Sequence, residues 1–153
     1  MMPYYSKLYT FNELTIYELY KIMQLRQEVF VVEQNCPYLD ADGKDLQGHH
    51  LLIYDQSDQL VAYARLLPVG VSYANHSSIG RVVNTSYLRG TGIGKLLMQE
   101  AISNIKQLYP DTPIKIGAQA YLKGFYESLG FTDLNQSYLE DGIPHLKMVM
   151  EER

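Results

Sequence analysis

Residues 89–95 read RGTGIGK: an arginine, three glycines in five positions and a lysine, set between the strand-like IGRVV and a helical pattern. Glycines placed this way let backbone approach a ligand closely. The turn aims the N–H groups of residues 90–95 at one spot, and the positive end of the helix dipole reinforces them. That spot suits a pyrophosphate, and Arg89 or Lys95 adds charge without a metal. A plain strand-to-helix turn would use the same glycines, so neighbouring motifs must decide.

Two familiar phosphate motifs do not fit. A P-loop needs G-x4-G-K-[ST], but counting back from Gly94-Lys95 puts Arg89 at the first glycine and Leu96 at the hydroxyl position. Gly90, Gly92 and Gly94 give G-x-G-x-G rather than the dinucleotide fingerprint G-x-G-x-x-G. What remains is R-x-x-G-x-G between a strand and a helix.

The elements around it form an alternating pattern. Tyr4–Phe11 is strand-like and ends near Asn12, a helix-capping residue type. The following ELTIYELYKIMQLRQEVFVVEQ predicts an amphipathic helix with Ile16, Leu19/Tyr20, Met23 and Gln27/Phe30 on one face. NCPYLDADGKDLQG is loop-like, and HHLLIYD and QLVAYARLLPV predict a hairpin. SSIGRVVNT predicts a strand before the glycine turn. The helix after the turn buries Ile93, Leu96/Leu97, Ala101, Ile105 and Leu108, and YPDTP stops it. IKIGAQA is a strand, YLKGFYESLGF a short helix closed by Gly130, and FTDLNQSYLE and PHLKMVME a last antiparallel pair around DGI.

R-x-x-G-x-G after a strand, followed by Phe125-Tyr126-Glu127-Ser128-Leu129-Gly130-Phe131, resembles the GNAT superfamily of N-acetyltransferases. LRQEVFVVEQNCPYLDADGKD, AYARLLP, IGRVV, AQAYLKGFY and YLEDGIPHLKM are similar to its ElaA-like branch, so the resemblance spans nearly the whole chain. It implies one domain over residues 1–153 with a mixed α/β, acyl-CoA N-acyltransferase fold. That fold has a mostly antiparallel central sheet of about seven strands flanked by helices. It also implies acetyl-CoA as co-substrate and direct attack of a primary amine on the thioester. The acceptor would be a small molecule or a peptide. Members often dimerise, so a homodimer is among the expectations.

The resemblance distributes roles by position. Arg89, Gly90, Thr91, Gly92, Ile93, Gly94 and Lys95 would hold the cofactor pyrophosphate, and Val82 and Val83 the pantetheine arm and thioester. Gln119 stands where many members have an asparagine that contacts the cofactor. Tyr126 matches the tyrosine that protonates the departing sulfur. The attacking amine is mostly protonated near neutral pH, with a reference value of ~10.4 for a lysine-type amine, so a base is required. Members with a well-studied base often carry a glutamate on the fourth strand, where SSIGRVVN has no acid. Glu33, Asp141, His145 and the His49–His50 pair are the alternatives, and Glu33 and His145 lead because they fall in the shared stretches. Arg26, Tyr38 and Asp141, with Glu33 and His145, would line the acceptor pocket.

Composition excludes several other classes. A net charge of −4 and a pI near 5.5 argue against a general nucleic-acid binder. No run approaches the length of a membrane span, and MMPYYSKLYT lacks the pattern of a secretory signal. The lone Cys36 excludes an intrachain disulfide, so a reduced cytoplasmic setting is the expectation. DADGKD places glycine fourth and Leu51 twelfth, unlike a calcium loop, and Cys36, His49 and His50 lack zinc spacing, so no metal is expected. The rival reading is a non-catalytic acyl-CoA-binding or interaction domain of the same fold.

Overall fold

The computed structural model describes residues 3–151, in the order β1 (Tyr4–Thr10), α1 (Ile16–Arg26), β2 (His49–Asp55), β3 (Leu60–Leu67), β4 (Ser78–Asn84), α2 (Ile93–Leu108), β5 (Ile114–Gln119), α3 (Lys123–Ser128), β6 (Thr132–Glu140) and β7 (Ile143–Met150). The seven strands form two antiparallel sheets, β1-β2-β3-β4 and β5-β7-β6. Among the described residues the sheets join only at the start of β4 and β5, where Ser77 N–H donates to Pro113 O at 3.0 Å and Lys115 N–H donates to Ser77 O at 2.9 Å. Beyond that parallel bridge no ladder connects β4 and β5.

β2 and β3 read as nearly continuous apolar runs because both faces of the first sheet are covered. On one side Leu51, Ile53, Ala62, Ala64 and Ile79 pack with Leu97, Met98 and Ala101 of α2, in a core that also takes Ile116, Phe131 and Met148 from the second half of the chain. On the other side Leu52, Tyr63 and Val83 pack with Ile22 and Leu25 of α1. β6 is an edge strand, and its polar sequence matches its largely exposed surface.

α1 corrects the sequence expectation in two ways. Its cap is Thr15, not Asn12: the Thr15 hydroxyl accepts from Glu18 N–H at 3.1 Å and the Glu18 carboxylate accepts from Thr15 N–H at 2.8 Å, a capping box. Its inward face is Ile22, Leu25 and Arg26, while Ile16 is 77% and Tyr20 67% exposed. An apolar count misses this stripe because its most buried member is an arginine. The helix continues as a π-helical segment, Gln27–Glu33, that brings Phe30 and Gln34 toward the cleft.

Arg26 is wholly buried because three aspartates of the following loop meet three arginines. Arg26 donates to Asp40 Oδ2 at 2.8 Å and Asp45 Oδ1 at 2.7 Å. Arg65 of β3 donates to Asp42 at 2.8 and 3.0 Å and to Asp45 at 3.0 Å. Arg81 of β4 stands 2.8 Å from Asp40 Oδ1 and 3.3 Å from Asp42 Oδ2. His50 lies beneath: its Nε2–H donates to Asp45 O at 2.9 Å and its Nδ1 accepts from Tyr63 OH at 2.6 Å, and burial holds the ring neutral. Burial works against the Asp42 charge, but Arg65 outweighs it and holds the carboxyl at about 2. Burial and the two arginines compete in the same way at Asp45, and its pKa is also lowered.

Arg26→Met is expected to cost about 3–5 kcal/mol of unfolding free energy, because Asp40 and Asp45 lose a buried partner. Urea denaturation measures this. The Asp42 and Asp45 pKa values are lowered by folding, so their stabilisation is present above the ordinary carboxylate value near 4. It is lost as pH falls from there toward about 2. Thermal melts across that window should show the loss in the native protein, and a smaller one in Asp42→Asn.

Candidate active site

Where β4 and β5 diverge, a cavity of about 740 Å³ runs from the glycine turn to the β6–β7 hairpin. Ile79, Gly80 and Val82 form one wall and Ile116, Gly117 and Gln119 the other. Strands that separate leave main-chain N–H and C=O groups of their facing edges without a ladder partner.

β4 carries a bulge at this wall. Tyr63 pairs with Val83 and Arg65 with Gly80, so Ala64 alone stands opposite both Arg81 and Val82. Arg81 has φ +49, a left-handed conformation uncommon for a non-glycine residue. Its guanidinium reaches Asp40 and Asp42, so the ion network holds the residue on which the bulge turns. Val82 lines the cavity. Val83 does not: its side chain is buried in the α1-side core, which corrects its expected place beside Val82.

The glycine turn forms the other end. Gly90 (φ +79) and Gly92 (φ +90) adopt left-handed backbone, and Gly92 is the N-cap of α2 with no side chain capping the helix. The first intrahelical bond, Leu96 N–H to Gly92 O at 3.1 Å, leaves the Ile93, Gly94 and Lys95 N–H groups without intrahelical acceptors. Arg89, Gly90, Gly92, Ile93, Gly94 and Lys95 all border the cavity. Thr91 does not, which corrects its assignment to the ligand-binding set: its hydroxyl and its N–H both bond Leu88 O and close the turn.

Tyr126 and His145 face the same cavity. Tyr126, 7% exposed, packs edge-on to Phe125 and Phe131, and burial pushes its phenol up to about 12. His145, 6% exposed, has Nδ1 2.7 Å from Ile143 O. A carbonyl only accepts, so Nδ1 donates this bond, and in the neutral ring the lone pair is on Nε2. Nε2 lies 3.5 Å from Glu140 Oε2, and His145 pairs across the sheet with Gln119.

Tyr38 and Asp141 also border the cavity. Tyr38 OH donates to Asp40 at 3.1 Å, and its ring stacks under Arg81 at 5.7 Å. The Cys36 thiol donates to Asp141 O at 3.4 Å, tying the loop after the π-helical segment to the β6–β7 turn. Two other expectations are corrected. Arg26 is 0% exposed and bonded to Asp40 and Asp45, so it supports the site from beneath and does not line it. Glu33 lies outside the cavity lining, and its carboxylate pairs with Arg89. His49 bonds Tyr109, and neither it nor His50 borders the cavity.

Sequence reasoning missed Arg81, Gln34, Tyr121 and Glu140 among the lining residues. The signal for Arg81 was the matched set of three loop aspartates and three arginines, which acquires meaning only when strand register is known.

Gly92→Ala should lower the unfolding free energy by about 1–2 kcal/mol, since a Cβ is disfavoured in left-handed backbone. Gly94 differs, because an added Cβ there would meet Phe125 at an ordinary 3.9 Å. Gly94→Ala should leave stability unchanged or raised and weaken ligand binding at the turn. Chemical denaturation and calorimetric titration separate the two effects.

Residues 21–152 match the family described as Acetyltransferase (GNAT) domain. The chain is 46% identical over 142 residues to Protein ElaA of Escherichia coli strain K12, covering 92% of each. The crystal structure of Escherichia coli ElaA superposes with a TM-score of 0.89, over 97% of this chain and 99% of that one. The crystal structure of an acyl-CoA N-acyltransferase from Pseudomonas aeruginosa has a TM-score of 0.89 at 43% identity, covering 96% and 99%. A mixed α/β chain of seven antiparallel strands, diverging at β4 and β5 over an uncapped helix N-terminus, thus belongs to the GNAT acetyltransferase-domain family.

Proposed function

We propose that this protein is an acetyl-CoA-dependent N-acetyltransferase acting on a primary amine. The observation that carries the reading is a single cavity bordered by the α2 N-terminus, both diverging strands, Tyr126 and His145. Acetyl-CoA fits the cofactor end chemically. The uncapped N–H groups of residues 93–95, with Arg89 and Lys95, suit its pyrophosphate, and the open edges of β4 and β5 suit the amides of its pantetheine arm.

Acetyl-CoA supplies an activated acetyl group as a thioester, and the rest is done by the chain. The backbone of the β4 bulge, at Arg81–Val82, polarises the thioester carbonyl as its oxygen gains charge. His145 Nε2 accepts the proton of the amine, its tautomer set by Ile143 O. A C–N bond forms and the C–S bond breaks. Tyr126 gives its phenolic proton to the departing sulfur, and burial keeps that phenol protonated at working pH. Glu140 orients the incoming ammonium. The amide of Gln119 serves in place of the family's asparagine.

Tyr126→Phe should lower kcat about 10²-fold or more with the acetyl-CoA Kd unchanged. His145→Gln should lower kcat/KM by a similar factor, again with the acetyl-CoA Kd unchanged. Because the Tyr126 phenol is raised to about 12, the native enzyme should lose no activity to its ionisation on the alkaline side until near that pH. Thiol release with a screen of amines, beside calorimetry with acetyl-CoA and CoA, tests all of this. Tight CoA binding with no turnover of any amine would favour a non-catalytic acyl-CoA-binding domain.

A further inference from the structure

A second cavity, of about 270 Å³, abuts the first through shared walls at Ile79, Gly80, Arg81, Gly117 and Glu140. It is cationic in a protein of net charge −4. Lys44, Arg65, Arg81 and Lys147 border it, against the carboxylates of Asp42 and Glu140. The two arginines are already paired within the aspartate network. Lys44 and Lys147 make no ion pair with any described residue.

Other contacts hold these ammonium groups in place without cancelling their charge. Lys147 Nζ stands 4.8 Å from the Tyr73 ring centroid and 4.6 Å from that of Tyr138, and donates to Tyr73 OH at 3.4 Å. Lys44 Nζ donates to Ser72 Oγ at 3.1 Å.

Resting on the acetyltransferase reading above, we propose that Lys44 and Lys147 form an anion subsite for the acceptor, a small primary amine that carries a carboxylate or phosphate close to its nitrogen. Lys147 lies two residues beyond His145 on β7, so the two share a face and their Cα atoms are about 7 Å apart. That spacing puts the anion only a few bonds from the amine. Glu140, 3.5 Å from His145 and bordering both cavities, complements the ammonium end of the same molecule. A polyamine would set a second cation against Lys147, and a lysine side chain within a folded protein has no anion at that separation.

Thiol release from acetyl-CoA, measured with paired acceptors, tests the subsite. Amino acids are compared with their decarboxylated amines, and amino sugar phosphates with the unphosphorylated sugars. The anionic member should be preferred by about tenfold or more in kcat/KM, and the series that responds identifies the anion. Lys147→Met and Lys44→Met should erase the preference through the acceptor KM. Lys147→Arg should keep it, and the acetyl-CoA Kd should be unchanged in all three. Equal or better use of the neutral members overturns the subsite, as does a preference that survives both methionine substitutions. So does the absence of thiol release with every pair while acetyl-CoA still binds. Failure of the native protein to bind acetyl-CoA is a separate result: it overturns the acetyltransferase reading and takes the subsite with it.

Discussion

Three arginines from three different elements converge under one loop, and their charges have to be met there. Arg26 comes from α1, Arg65 from β3 and Arg81 from β4, and Asp40, Asp42 and Asp45 answer them from a single short segment. Charges this buried are tolerated only when paired and hydrogen-bonded. The loop therefore cannot lie elsewhere, α1 cannot rotate on the sheet, and β4 is held where its bulge forms. The network is a requirement of position more than a source of stability, since a buried ion pair gains little over a well-packed apolar one.

That requirement reaches the chemistry through Arg81. The same residue that adopts left-handed backbone at the bulge also sends its side chain into the network and beneath Tyr38. The bulge, the acceptor-side loop and the inward face of α1 are thus settled by one set of contacts. The opposite wall is settled separately, by the pairing of Gln119 with His145 and Gly117 with Lys147 across β5 and β7. The Tyr138 hydroxyl packs against Gly117, in the space where a Cβ would stand. The cleft between these walls stays open because Ser77 and Ile114 supply the only bridge between the two sheets among the described residues.

Charge is also distributed unevenly along the cleft. The helix N-terminus with Arg89 and Lys95 makes one end receptive to anions, Glu140 and Asp141 sit at the hairpin end, and the cavity beyond returns to positive. Arg81, Arg89 and Lys95 border the cleft and Lys44, Arg65 and Lys147 the cavity beyond, while most of the carboxylates lie outside both. Low local dielectric then makes each of these charges count for more than it would on the surface.

Much of this could be read from the chain alone. The order of strands and helices, the buried stripe of α2, the left-handed glycine that closes α3, and the turn built on Gly90 and Gly92 all follow from local rules. Periodicity, capping chemistry and the steric cost of a Cβ act within a few residues. The placement of Tyr126 and His145 at one cavity was legible only through motif order, because the two lie on different elements. What local rules misjudged was decided by partners distant in sequence. Arg26 looked like a pocket residue until two aspartates took it into the core, and Glu33 looked like a base until Arg89 paired with it. Thr91 turned back onto its own loop, and Val83 faced the core on the far side of a bulge that shifts strand register by one residue. A sequence states which residues are able to form a turn, a strand or an ion pair. Which charges find each other, and which face of a strand meets a cleft, is determined by the register and packing of the whole fold.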